Sequence, residues 1–207
     1  MGKSDEILGR VSHLRDGDSS REIYDDWSDS YDDHLIAEFG YISPAVAARE
    51  LAAAVAWRDR AIIDFGCGTG LVGEALRQQG FATVDGIDIA EGMLEQAREK
   101  GVYRNLVCAD LTLEIAVADG IFEAGVCIGS MGAGHVGARH VPGLLRPIRP
   151  GGLFVIVMNG KYYDSGGFDR AFAKIEADGL WQIRKLEEFN YMTRLERPGW
   201  LLVAEKR

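Results

Sequence analysis

Ala61-Ile62-Ile63-Asp64-Phe65-Gly66-Cys67-Gly68-Thr69-Gly70 is a short apolar run that breaks into glycine at every second position, and a helix-like segment follows it at once. Gly66, Gly68 and Gly70 remove side chains where a chain leaving a strand turns tightly, and they open backbone N–H groups to a ligand at a helix N-terminus. Leu71, Val72, Ala75 and Leu76 recur at helical spacing and predict a helix over 71–79. Such a turn alone closes loops in many folds that bind nothing, so the residues downstream decide the reading. The stretch 83–89 reads as a second strand carrying Asp88, about 20 residues after the glycines, where a ribose-binding carboxylate belongs. A third strand, 105–109, ends in Asp110, and 122–128 reads as a fourth. Three strand ends therefore point polar groups at one crevice, on the edge where open α/β sheets bind ligands.

A dinucleotide is the competing ligand, and spacing argues against it. Its fingerprint wants a third glycine three positions after the second, which counted from Gly68 is Leu71. Asp64 would also face a pyrophosphate unfavourably, whereas a carboxylate near the turn suits a cofactor bearing an amino acid and a sulfonium cation.

The run 64–70, with 86–94, Ala109-Asp110-Leu111 and the helix, turn and strand of 144–156, resembles the motifs of class I S-adenosylmethionine-dependent methyltransferases. The likeness spans Tyr24 to the C-terminus. Tyr24-Asp25-Asp26-Trp27, Tyr31-Asp32, Tyr41-Ile42-Ser43-Pro44, Met93-Leu94, 100–103 and Gly134-His135-Val136 resemble the methyltransferase-like 27 (Williams-Beuren region 27) group more closely. The resemblance implies an α/β, Rossmann-like, doubly wound, seven-stranded mixed sheet with an antiparallel last strand, and S-adenosyl-L-methionine as cofactor. It implies that Asp64 and the backbone of Gly66, Cys67 and Gly68 handle the methionine part, Asp88 the ribose, and Asp110 the adenine amino group. By the same likeness Ile89, Met93, Leu111 and Ile128 join the cofactor wall, and Tyr24 and Tyr31 close over it.

From Glu22 onward Tyr24, Trp27, Tyr31 and Leu35 fall on one helical face, and Asp25, Asp29, Asp32 and Asp33 largely on the other. This predicts a helical lid over 21–58, with the aromatic stripe inward and the acids as a solvated face rather than a metal site. Residues 1–20 carry few apolar side chains and read as a weakly ordered segment, and 59–207 as the Rossmann-like core. A further helix, 44–57, has Ser43 as its expected cap and Pro44 at its first position. Beyond the fourth strand, the glycine-rich loop 129–135 sits where an acceptor meets the methyl group, and His135 is the candidate base. The loop 161–168 belongs to the same edge. The tail reads as a helix over 168–177 and strands over 181–191 and 199–205.

The formal net charge of −9 speaks against a broad surface for nucleic acid. Arg184, Lys185, Arg194 and Arg197 gather near the end and read as a solvated sheet edge. No stretch has the length of a membrane span and no signal peptide opens the chain, which points to a soluble, cytoplasmic protein. Cys67, Cys108 and Cys127 lack metal-ligand or paired spacing and read as small buried residues. Three functions fit these residues: a methyltransferase acting on a small, partly apolar acceptor, an S-adenosylmethionine-binding protein without turnover, and a methyltransferase acting on protein or RNA. The acceptor and the oligomeric state are not readable from the sequence.

Overall fold

Successive residues of a strand point to opposite faces of a sheet, and the computed structural model shows both faces of this one buried. It describes residues 9–11, 13–14, 20–132, 134–165 and 167–207. Ile62 packs with Val84, Val126, Val155 and Leu201 on one face, and Ile63 and Phe65 pack with Cys127, Phe154 and Leu202 on the other. Each fully buried side chain of this size contributes about 1.5–3 kcal/mol of transfer free energy.

The strands are β1 (Ala61–Phe65), β2 (Thr83–Asp88), β3 (Asn105–Cys108), β4 (Phe122–Ile128), β5 (Ile148–Asn159), β6 (Trp181–Met192) and β7 (Arg197–Lys206). They form one 7-stranded sheet in the order β3-β2-β1-β4-β5-β7-β6. All neighbours from β3 to β5 are parallel, while β7 lies antiparallel between β5 and β6. This is the mixed sheet the sequence implied. Strand order reverses between β1 and β4, so their carboxyl ends open the crevice.

Helices α2 (Ser43–Ala54) and α3 (Leu71–Gln78) cover one face through Ala47, Leu51, Val72 and Leu76. Helices α5 (Val141–Leu145) and α7 (Phe168–Ala177) cover the other through Leu144, Leu145, Phe168 and Phe172. Helix α4 (Glu91–Lys100) follows β2, and the short α6 (Gly160–Ser165) follows β5.

Three local expectations change. Ile42, not Ser43, is the N-cap of α2; Ser43 is buried in the first turn without a capping bond, and the helix stops at Ala54. Cys108 is exposed because β3 is an edge strand, whereas Cys67 and Cys127 are buried as expected. The N-terminal helix is also not continuous. Helix α1 (Arg21–Trp27) gives way to a 3-10 turn at Ser28–Ser30, a helical turn at Tyr31–Asp33 and a π turn at His34–Glu38. Ser28 Oγ donates to the Asp25 carbonyl, competing with the backbone where α1 ends. Trp27, Leu35 and Phe39 are buried in a cluster of their own with Tyr191 and Met192. The expectation for residues 1–20 falls for the most part outside the described residues.

Candidate active site

The glycine turn is built as the spacing requires. Gly66, Gly68 and Gly70 have φ of +74°, +51° and +97°, a region that side chains rarely enter. A Cβ on Gly66 would also stand 2.0 Å from Ser130 Oγ, so the turn and the loop after β4 can meet only through glycine. At Gly68 a Cβ would meet nothing within 4 Å, which leaves that backbone open to the crevice.

Asp88 organises this turn. Its Oδ2 accepts from Gly68 N at 2.8 Å and its Oδ1 from Ala90 N at 3.0 Å, tying the glycine loop to the start of α4. Burial raises its pKa, and the backbone N–H groups pull it back. Asp110 accepts from both Thr112 N and Thr112 Oγ1, at 2.8 and 2.7 Å, which orients its carboxylate after β3. Asp64 lies beneath the turn, fully buried, with Oδ2 accepting from Tyr103 Oη at 2.7 Å and Oδ1 without a partner among the described residues. Burial lifts its pKa to about 7, against the Tyr103 hydrogen bond that lowers it.

A cavity of about 270 Å³ occupies the crevice. Of the residues expected to bind cofactor, Tyr24, Tyr31, Gly66, Cys67, Gly68 and Asp88 line it, as do Ile89, Met93, Asp110, Leu111 and Ile128. His135 lines it as well, while Asp64 stands behind the wall. The donor set fits S-adenosylmethionine: open glycine backbone, carboxylates after two adjacent strands, and aromatic rings above.

Sequence reading did not single out Thr69, Ser130 and Arg139 in this wall, nor Tyr41. Thr69 and Tyr41 stood inside the motifs that carried the resemblance, so a signal existed for both.

The helical segment of 21–39 is fastened over the crevice chiefly by Asp25 and Asp32, which are not the solvated face expected of them, whereas Asp29 and Asp33 are exposed as expected. Asp25 Oδ1 accepts from Gly92 N at 2.9 Å, Asp29 from Gln96 Nε2 at 3.3 Å, and Asp32 from Thr69 Oγ1 and Lys100 Nζ at 2.5 Å each. The first turn of α4 offers unpaired N–H groups and Lys100 a cation, so carboxylates dock there rather than face water. The aromatic face turns inward. Trp27 is 2% exposed and donates Nε1–H to His34 Nδ1 at 2.8 Å, as a packed core residue. Tyr24 Oη stands 2.9 Å from His135 Nε2, a hydrogen bond across 111 residues of sequence. Burial raises the Tyr24 pKa, so its phenol stays protonated.

A second cavity, of about 120 Å³, abuts the first. Tyr24, Tyr31, Tyr41, Gly129 and His135 belong to both walls. Trp27, Leu35, Met131, Val157 and Met158 supply its apolar sides, and Asn159, Tyr162, Tyr191 and Arg197 its polar ones. Tyr162 comes from the stretch expected as a loop after β5, which is the short helix α6 instead. Asn159, Tyr191 and Arg197 carried no signal, because a single side chain at a strand end has no spacing to read. Of the four cations gathered near the end of the sequence, Arg184 pairs with Glu205, Lys185 with Glu50 and Glu187, and Arg194 donates to the Ala37 carbonyl. The solvated-edge reading holds for Arg184, Arg194 and Arg197, which are exposed, while Lys185 is half-buried between its two carboxylates. Among the described residues no cluster of His, Cys, Asp and Glu could hold a metal ion, and no helix is long and apolar enough to cross a membrane.

Comparison with known proteins agrees with the geometry. The family profile described as "Methyltransferase domain" matches residues 62–152. Human methyltransferase-like protein 27 is 32% identical over 168 residues, covering 77% of this chain and 67% of that protein. A shorter match, 34% identical over 70 residues, covers 34% of this chain and 25% of the bovine 18S rRNA (guanine-N(7))-methyltransferase. Among solved structures, the Haloferax volcanii methyltransferase in complex with the Trm112 activator superposes with TM-score 0.67 at 15% identity, covering 93% of this chain and 99% of that one. The geranyl diphosphate C-methyltransferase of Streptomyces coelicolor, solved with S-adenosyl-L-homocysteine, gives TM-score 0.59 at 17% identity over 79% of this chain and 78% of that one.

Proposed function

We propose that the chain, which belongs to the S-adenosylmethionine-dependent methyltransferases, methylates a small, partly apolar acceptor held in the second cavity. The observation that carries this reading is the wall shared by the two cavities, at Tyr24, Tyr31, Tyr41, Gly129 and His135. These shared residues would set an acceptor in the second cavity beside a cofactor in the first.

S-adenosylmethionine supplies a methyl group on a sulfonium: as the acceptor–carbon bond forms, the sulfur–carbon bond breaks with its electron pair kept on sulfur, and the acceptor proton is released. The protein's own part is placement. Asp88 would hold the ribose and Asp110 the adenine amino group, while Tyr24 and Tyr31 would cover the cofactor and exclude water. His135, in both walls, takes the acceptor proton, and its hydrogen bond to Tyr24 fixes the imidazole. His135→Gln should lower kcat about 10²-fold, far more than it changes cofactor affinity. An unchanged kcat assigns the proton to water instead.

The rRNA methyltransferase among the relatives keeps an RNA acceptor as the second reading. Incubating the full chain with methyl-labelled cofactor and cell extract, then separating low-molecular-weight, RNA and protein fractions, decides between them. Label in the low-molecular-weight fraction is the expected result. Label confined to RNA or protein overturns the small-acceptor reading.

A further inference from the structure

The two cavities carry opposite charge. The cofactor cavity has Asp88 and Asp110 in its wall, whereas the second has no carboxylate among its described lining residues. Arg197, the first residue of β7, is its one side chain of permanent charge. Elsewhere in this acidic chain Arg98, Arg104, Arg146, Arg149, Arg184 and Arg207 each pair with a carboxylate. Among the described residues no acid pairs with Arg197. Arg197 is exposed, so it stands at the mouth of this space, where its guanidinium fork can meet an anion entering from water and orient it toward the apolar interior.

The neighbouring hydrogen bonds set up a second donor. Asn159 Oδ1 accepts from Lys161 N at 2.9 Å, which fixes the amide so that its Nδ2 donates to Tyr191 Oη, also at 2.9 Å. The Tyr191 oxygen is thereby used as an acceptor, and its own proton remains to be donated into the cavity. Burial raises the Tyr191 pKa, while Arg197 is close enough to pull it partly back, so the phenol keeps its proton at neutral pH. Arg197 and Tyr191 thus form a two-donor end, remote in function from the His135 end that meets the cofactor. One guanidinium fork and one phenol match a planar monoanion; a phosphate dianion would be left undercompensated.

We propose that the acceptor carries a carboxylate, held by Arg197 and Tyr191, on an apolar or aromatic body whose nucleophilic atom points toward His135. This rests on the small-acceptor reading above.

The test divides a low-molecular-weight cell extract by anion exchange before the reaction. The retained and unretained pools are then offered separately, with methyl-labelled S-adenosylmethionine, to the full chain and to Arg197→Ala and Arg197→Lys. The retained pool should be labelled, and phosphatase treatment should not remove its activity. Arg197→Ala should need at least about tenfold more of that pool for half-maximal rate, with kcat kept within about threefold and Arg197→Lys in between. Calorimetric affinity for S-adenosylhomocysteine should be the same in all three chains. Label only from the unretained pool, loss of labelling after phosphatase, or an Arg197→Ala chain that needs no more of the pool would each overturn the carboxylate while leaving the small acceptor standing. Label from neither pool overturns the small-acceptor reading itself, and the carboxylate with it.

Discussion

The cofactor cavity and the cavity beside it are built by different means. One takes its open backbone and its carboxylates from consecutive strand ends, β1 to β3, and shares its Tyr24, Tyr31, Tyr41, Gly129 and His135 side with the other. The other draws Tyr24, Tyr41, His135, Tyr162, Tyr191 and Arg197 from stretches that only the finished fold brings together. A wall of backbone geometry tolerates almost no change in the chain that makes it, since only glycine enters its φ values. A wall of side chains can be altered one residue at a time without touching the sheet. The first arrangement suits a ligand that never varies, the second a ligand that distinguishes one enzyme from its relatives.

The sharpest probe of the first wall is the buried acid behind it. Folded Asp64 holds its proton to about pH 7, whereas the unfolded chain releases it near 3.8. Between those values the folded state binds more protons, so stability is fully present below the lower value and is lost as pH rises through the upper one. The ligand-free chain should lose on the order of 4 kcal/mol from this group between pH 4 and 8, and Asp64→Asn should flatten that slope. Urea unfolding at a series of pH values checks it; parallel slopes in the two chains would show Asp64 ionised throughout.

A smaller effect sharpens the same wall at the ligand itself. Asp88→Ala should weaken S-adenosylmethionine by about 1.5–3 kcal/mol in calorimetry, through loss of a charge-assisted pair. Unchanged affinity would remove Asp88 from the ribose.

The smallest effect tests whether the second wall is held by side chains alone. Tyr24→Phe deletes the hydroxyl that meets His135 and should cost about 1 kcal/mol of stability, while half-saturation by acceptor rises more than by cofactor. Equal rises in both would mean that the two cavities share one support and that the contrast fails.

The same contrast explains what could be read in advance. Glycine spacing, an acid about 20 residues on and apolar runs of strand length are local patterns, and they placed β1 to β4 and the crevice at their ends. The family resemblance implied the antiparallel last strand and most of the expected cofactor residues, all of which but Asp64 line the cavity. Asp64 escaped because spacing places a residue on a strand but does not tell whether its side chain reaches the ligand side of the turn. Asp25 and Asp32 escaped for a related reason. Periodicity put both opposite the aromatic stripe, yet only the fold shows that α4 and Lys100 lie on that side as well. Arg197 opened a stretch read as a turn, and nothing beside it in sequence announced Tyr191 and Asn159 as neighbours in space.

The fastening of the N-terminal segment also makes it the dependent part of the fold. Its bonds to Thr69, Gly92, Lys100 and His135 join residues 37, 67, 68 and 111 positions apart, so each closes a long loop that has nothing to close onto until the sheet exists. The segment that covers the site therefore depends on the sheet for its bonds, while the sheet pairs its strands without it, so opening this segment need not disturb the sheet. Detaching this segment alone would uncover the cavity, and hydrogen exchange slower in the sheet than in 21–39 is the expected sign of it.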